Sequence, residues 1–112
     1  MERYQFQVAY MEEANKFIAG LSENVRNKIL YNVRKIKNGV KDSDLFKKLE
    51  GTDIWELRTQ YEGNQYRLLA FWDKDTKRLV VATHGFVKKT WKVPSKEIAR
   101  AEALRKEYYA TK

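Results

Sequence analysis

Ile54-Trp55-Glu56-Leu57-Arg58-Thr59-Gln60-Tyr61, then Glu62-Gly63-Asn64, then Gln65-Tyr66-Arg67-Leu68-Leu69-Ala70-Phe71-Trp72 is the stretch that decides the fold. The first segment alternates Trp55, Leu57 and Thr59 with Glu56, Arg58 and Gln60, the period-two pattern of a half-buried strand. Glu62-Gly63-Asn64 is a hairpin turn. The second segment is apolar at nearly every position, as expected of a central strand buried on both faces. Arg67 is the lone charge within it. A simple hairpin pairing brings Arg58 close to Arg67, on one face or on two according to register.

Downstream, residues 73–77 form a second turn and Arg78 to Thr83 a third strand of the same meander. After a loop, Pro94-Ser95 precedes a helix from Lys96 to Tyr109, with Ile98, Ala101, Leu104, Arg105 and Tyr108 along its inner edge. Upstream, residues 4–10 alternate Tyr4, Phe6, Val8 and Tyr10 with Gln5 and Gln7, another strand. Ala14, Phe17, Ile18 and Leu21 fall at helical spacing, with Gly20 at the end. Ser22 caps a second helix, whose stripe is Val25, Ile29, Val33 and Ile36 and whose stop is Gly39. Helices joined this tightly form an antiparallel hairpin. Its basic face (Arg26, Lys28, Arg34, Lys35, Lys37) is expected to be solvated. Leu45, Phe46 and Leu49 suggest a short helical turn carrying Lys47 and Lys48. The layout predicts one α+β domain over residues 1–112. It is a small, mostly antiparallel sheet with an N-terminal helical hairpin and a C-terminal helix, the helices on one face.

A hydrophobic share of 43% is enough to fold. The absence of cysteine excludes disulfides and thiolate chemistry, and a single histidine argues against a zinc site. No apolar run is long enough to span a bilayer, Leu79–Ala82 included, and Met1–Tyr4 carries no apolar signal region. The expectation is a soluble cytoplasmic protein. The net charge is +8, and residues 86–112 hold eight Lys/Arg against three Glu, or +5 of it. Such a bias suits a phosphate-bearing or acidic partner; a solvated basic face is the plain alternative.

The chemistry is concentrated where the third strand runs into the last helix, over residues 83–94. The only histidine, His84, lies there with Gly85, Phe86, Lys88, Lys89, Trp91 and Lys92. Cations beside flat rings suit single-stranded nucleic acid. Phe86 and Trp91 are candidate platforms for bases, each worth ~1–3 kcal/mol per base, or else core plugs. His84 is suited to moving a proton near neutral pH, or is a hydrogen-bonded structural residue; Lys88 and Lys89, if close, would lower its pKa. Arg67 is either paired with Glu56 or Asp73 or aimed at a phosphate that it grips bidentately. Glu56 argues against a bare oxyanion site. No Ser-His-Asp arrangement, Gly-rich phosphate loop, metal cluster or catalytic carboxylate pair is evident. RNA cleavage needs none of these. The 2′-OH is the nucleophile, and the protein aligns it, stabilises the phosphorane with Arg and Lys and exchanges two protons. No metal or cofactor is expected.

Leu49-Glu50-Gly51, Ile54-Trp55-Glu56-Leu57-Arg58, Tyr66-Arg67, His84-Gly85-Phe86-Val87-Lys88-Lys89-Thr90, and Pro94 with Glu97-Ile98 and Ala101 together resemble the RelE/ParE toxin superfamily, in its HigB-like, phage-derived branch. The resemblance covers most of the chain. It implies the toxin of a type II toxin–antitoxin pair, a metal-independent, ribosome-dependent mRNA endonuclease. The implied partners are the ribosome, mRNA and a cognate antitoxin of helix-turn-helix type. By position, Arg67 would contact the scissile phosphate, and Arg67, His84 and Lys88 form the candidate catalytic set. Arg58, Tyr66, Phe86, Lys89, Trp91 and Lys92 would bind RNA, with Tyr66 a second candidate for proton transfer. The chain departs from the RelE pattern at Ile54 and Glu56, where lysines are expected. ParE-type members share the fold and inhibit gyrase instead, so a gyrase-inhibiting toxin and a non-catalytic basic binding module are the alternatives.

Overall fold

The computed structural model describes residues 5–112. The elements run β1 (Gln7–Tyr10), α1 (Glu12–Ala19), α2 (Glu23–Lys37), β2 (Phe46–Lys48), β3 (Trp55–Tyr61), β4 (Asn64–Trp72), β5 (Leu79–Lys88) and α3 (Ser95–Ala110). They build one five-stranded sheet in the order β1-β5-β4-β3-β2. β1 lies parallel to β5, and the other neighbours are antiparallel. This is the α+β architecture expected from the hydrophobic periods. Tyr4, placed by its alternation at the start of the first strand, lies outside the described residues.

The β3–β4 hairpin sets the register. Glu62 and Gly63 both adopt positive φ, 47° and 81°, as a two-residue turn matching the strand twist requires. Tyr61 therefore faces Asn64, and Arg58 faces Arg67 directly. Side chains alternate from there. Leu57, Leu68, Ala70, Val80 and Ala82 point to one face, where Ile29, Val33 and Ile36 of α2 cover them. Leu69, Phe71 and Val81 point to the other, where Ala101 of α3 packs. Ser22 caps α2 by accepting from the Val25 amide, and Asn32 reaches Thr59 of β3 across the buried interface at 3.1 Å.

Three expectations are corrected here. The helices do not share a face, because β4 is apolar on both sides and the α1–α2 hairpin covers only one. Residues 46–48 form an edge strand, not a helical turn. Lys47 pairs with Glu56 along the otherwise open edge of β3, and Phe46 stacks on Trp55 at 4.6 Å. The last strand runs on to Lys88, so His84, Gly85, Phe86, Val87 and Lys88 belong to the sheet. A bulge opposite Leu69/Ala70 absorbs Thr83 as an extra residue.

Only Ala101 of α3 is fully buried, and polar ties fasten the helix. At its far end the buried Asp73 carboxylate accepts from Tyr108 Oη, from Lys112 Nζ at 2.7 Å and from the amides of Asp75 and Thr76. Burial alone would raise the Asp73 pKa, but the bonds from Lys112, Tyr108 and the two amides hold it well below the usual carboxylate range.

Gly85 explains one small residue of the HGF motif. A Cβ there would lie 2.2 Å from the Phe17 ring, which α1 lays flat on β5. Gly85→Ala is expected to lower stability by ~1–3 kcal/mol through overpacking, measured by thermal or urea unfolding. An unchanged midpoint would show that α1 does not bear on the strand at this point.

Candidate nucleic-acid interface

α3 leaves one end of its sheet face uncovered, and cations gather there. By register, Lys47 of β2, Glu56 and Arg58 of β3, Gln65 and Arg67 of β4, and Phe86 and Lys88 of β5 lie on neighbouring positions of this face. Glu56 is at the centre and only 3% exposed. Arg58 Nε lies 3.3 Å from its Oε1 and Arg67 Nε 3.4 Å from its Oε2. The two ε-nitrogens and Oε2 make no well-directed hydrogen bond, so Glu56 acts on both guanidiniums mainly as a charge. Arg67 donates from its other nitrogens to Tyr66 O and Gln65 Oε1. Arg58 donates to Ser43 O at 3.2 Å.

Four cations thus surround one carboxylate. Burial pushes the Arg67 pKa down; Glu56 pulls it back up and Arg58 pushes it further down. Lys88 is lowered by burial and then by Arg67, with Arg58 and Lys47 acting in the same direction and Glu56 against them. A lysine in such company releases its proton more readily than an isolated one. Beyond Lys88 the chain turns out into residues 89–94. Lys89 and Lys92 are exposed, and Trp91 is 85% exposed with the Lys92 ammonium 5.5 Å from its ring centre.

For Arg67 and His84 the geometry matches the paired and the hydrogen-bonded alternatives. Arg67 is 3% exposed and paired with Glu56; it braces the site instead of presenting a free guanidinium. Tyr66 is also buried, on the opposite face among the residues under the helical hairpin, because consecutive strand residues point to opposite sides. It is not on the basic surface. Phe86 is half-buried beside His84, its ring centre 6.2 Å away. His84 is 3% exposed and ties β5 to α3. Its Nε2 lies 3.1 Å from Glu97 Oε1 and its Nδ1 3.1 Å from Thr83 Oγ1. Burial lowers its pKa, opposed by Glu97, and Arg100 adds to the lowering. His84 Nε2 faces the Glu97 carboxylate, and Nδ1 meets the Thr83 hydroxyl, whose single proton is also directed at Leu69 O. Arg58 and Lys88 share the sheet face, and Lys89, Trp91 and Lys92 are exposed on the loop that follows Lys88. Lys47 was missed, since its strand was read as a turn. Among the described residues no cluster of acids and histidine is arranged to hold a metal ion.

Three helices on a five-stranded sheet in this order define the fold of the RelE toxins. An arginine double mutant of the E. coli toxin RelE in the free state superposes with a TM-score of 0.64 at 18% identity, over 92% of this chain and 98% of that one. The isolated E. coli RelE toxin gives 0.56 at 20% identity, over 85% and 97%. RelE in the intact E. coli RelBE toxin–antitoxin complex gives 0.54 at 21% identity, over 78% and 99%. No curated protein sequence matches the chain significantly. The family model described as "Phage derived protein Gp49-like" matches residues 16–106, and the chain belongs to that family.

The His84 contacts carry a pH dependence. Its folded pKa is lowered, so the unfolded state binds the extra proton first. The contribution is intact above the unfolded value near 6.5 and is lost as the pH falls below it. The melting temperature of the wild type is expected to drop more between pH 7 and pH 5 than that of His84→Asn; parallel curves would contradict this.

Proposed function

We propose that the chain is the toxin of a type II toxin–antitoxin pair and cleaves mRNA at the ribosome. One observation carries the reading: Lys47, Arg58, Arg67 and Lys88 crowd around a single carboxylate beside a loop bearing exposed Trp91. That surface matches a sugar-phosphate chain with bases free to stack. The likeness to RelE and membership of a phage-derived family support it.

The chemistry follows from the groups at hand. The RNA 2′-oxygen attacks the adjacent phosphorus, forming a 2′,3′-cyclic phosphate and expelling the 5′-oxygen. Arg58 stabilises the charge that develops on the phosphorane oxygens. Lys88, with its lowered pKa, gives a proton to the departing 5′-oxygen while solvent takes the proton of the attacking 2′-OH. Arg67 and Glu56 set the position of Arg58. Lys89, Lys92 and Trp91 hold the flanking nucleotides, and Lys47 extends the basic track. His84 fastens α3 and takes no part in proton transfer. A cognate antitoxin masks the same surface, and the site of action is the cytoplasm, where translation occurs.

The test is brief induction in a bacterial host followed by primer extension on cellular mRNA. Wild type is expected to arrest growth and leave discrete cuts. Arg58→Ala and Lys88→Ala are expected to reduce cutting by about a hundredfold or more, the usual cost of losing a transition-state donor, Lys88→Ala with an unchanged melting temperature. Arrest with DNA breaks and intact mRNA would replace this reading with gyrase inhibition. Expression without arrest would favour a non-toxic binding module.

A further inference from the structure

On the opposite side of the sheet, beyond the end of α2, the hairpin stops short of covering β2, β3 and β4. An open groove of about 890 Å³ lies there, walled by residues 38–43 and floored by Phe6, Phe46, Trp55 and Trp72. Phe46 stacks on Trp55, and Phe6 meets Trp72 edge-on at 4.9 Å. Trp72 is 38% exposed and Val40, on the wall, 43%. Such an apolar surface on a small domain usually marks an interface.

The surroundings identify the occupant. Lys41 lines the groove and Lys48 borders its Trp55–Trp72 end. Both are exposed, and neither makes an ion pair among the described residues. The neighbouring acids are engaged: Asp42 Oδ1 accepts the Asp44 amide, and Asp53 pairs with Arg105. A second copy of this chain, at +8, would set like charges together. The four rings pack against one another in stacked and edge-on pairs, an apolar floor that suits inserted aliphatic or aromatic side chains. The groove is concave, so it takes a protruding segment and not a bilayer. We propose that it binds an acidic segment of a partner protein, anchored by large apolar side chains and held at the rim by Lys41 and Lys48. The surface lies back to back with the basic cluster, so a partner seated here leaves that cluster open. The proposal does not depend on the nuclease reading.

The test uses the full chain and a short fluorescein-labelled peptide that alternates glutamate with leucine and tryptophan. Its control carries lysine in place of glutamate. Anisotropy measures binding, and the indole N–H signals of the protein locate it. The acidic peptide is expected to shift Trp55 and Trp72 while leaving Trp91 in place. The surface double variant Lys41→Glu/Lys48→Glu is expected to weaken binding about tenfold, as is Trp72→Ala where the variant folds. Absence of binding would overturn the proposal, as would equal binding of the lysine peptide or indifference to the lysine reversals. Shifts of the same two signals produced instead by a uridine-rich oligonucleotide, by anionic vesicles or by raising the protein concentration would assign the groove to RNA, lipid or a second copy.

Discussion

Two arginines face each other across adjacent strands because one buried carboxylate lies between them. Arg58 opposite Arg67 is an unfavourable pair by itself. Glu56, one pairing step along, takes the ε-nitrogen of each guanidinium near one of its oxygens. Ion pairs this deep are poor sources of net stability compared with apolar packing. What such a pair does supply is position, because removing one member leaves the other charged and desolvated. The arrangement also leaves a surplus. Among the described residues neither Lys47 nor Lys88 makes an ion pair, and the unmatched charge makes this end of the sheet cationic.

The rest of the fold keeps that end open. α3 covers the face over Leu69, Phe71 and Val81 and stops, tied by Glu97 to His84 at its start and by Tyr108 and Lys112 to Asp73 at its end. These ties place the helix without a large apolar stripe. The helical hairpin lies on the other face and likewise leaves a corner bare, where the four aromatics gather. The sheet therefore offers two surfaces of different chemistry, one cationic and one apolar, separated by its own thickness.

Much of the architecture was legible from hydrophobic period and turn chemistry. The hairpin at Glu62-Gly63, the apolar β4 and the capped α2 all announce themselves locally. The side on which α3 packs did not, although an apolar β4 buried on both faces already demands two layers. Residues 45–49 were misread because apolar spacing cannot distinguish one helical turn from a short edge strand, Phe46–Lys48, whose partners run from Trp55 to Leu57. The site was legible by composition and less so by role. Arg58, Lys88, Lys89 and the Trp91 loop were singled out from charge and spacing, and their roles belong to the proposal. The alternation that puts Arg67 on the basic face sends Tyr66 to the other, and the burial of His84 depends on α3 and Glu97, which no local pattern reveals. Glu56, named beside Asp73 as a candidate partner of Arg67 and as an argument against a bare oxyanion site, proves to be the centre of the cluster.

The account stands on the coupling between Glu56 and the arginine across from its neighbour. A double-mutant cycle in urea unfolding, with Glu56→Ala, Arg67→Met and the pair, measures it directly. Loss of Glu56 alone should cost ~3–5 kcal/mol, and the double variant should recover about 2 kcal/mol or more of the summed single losses. Additive losses within ~0.5 kcal/mol would mean that the two charges do not support each other and that the basic surface is organised by something else.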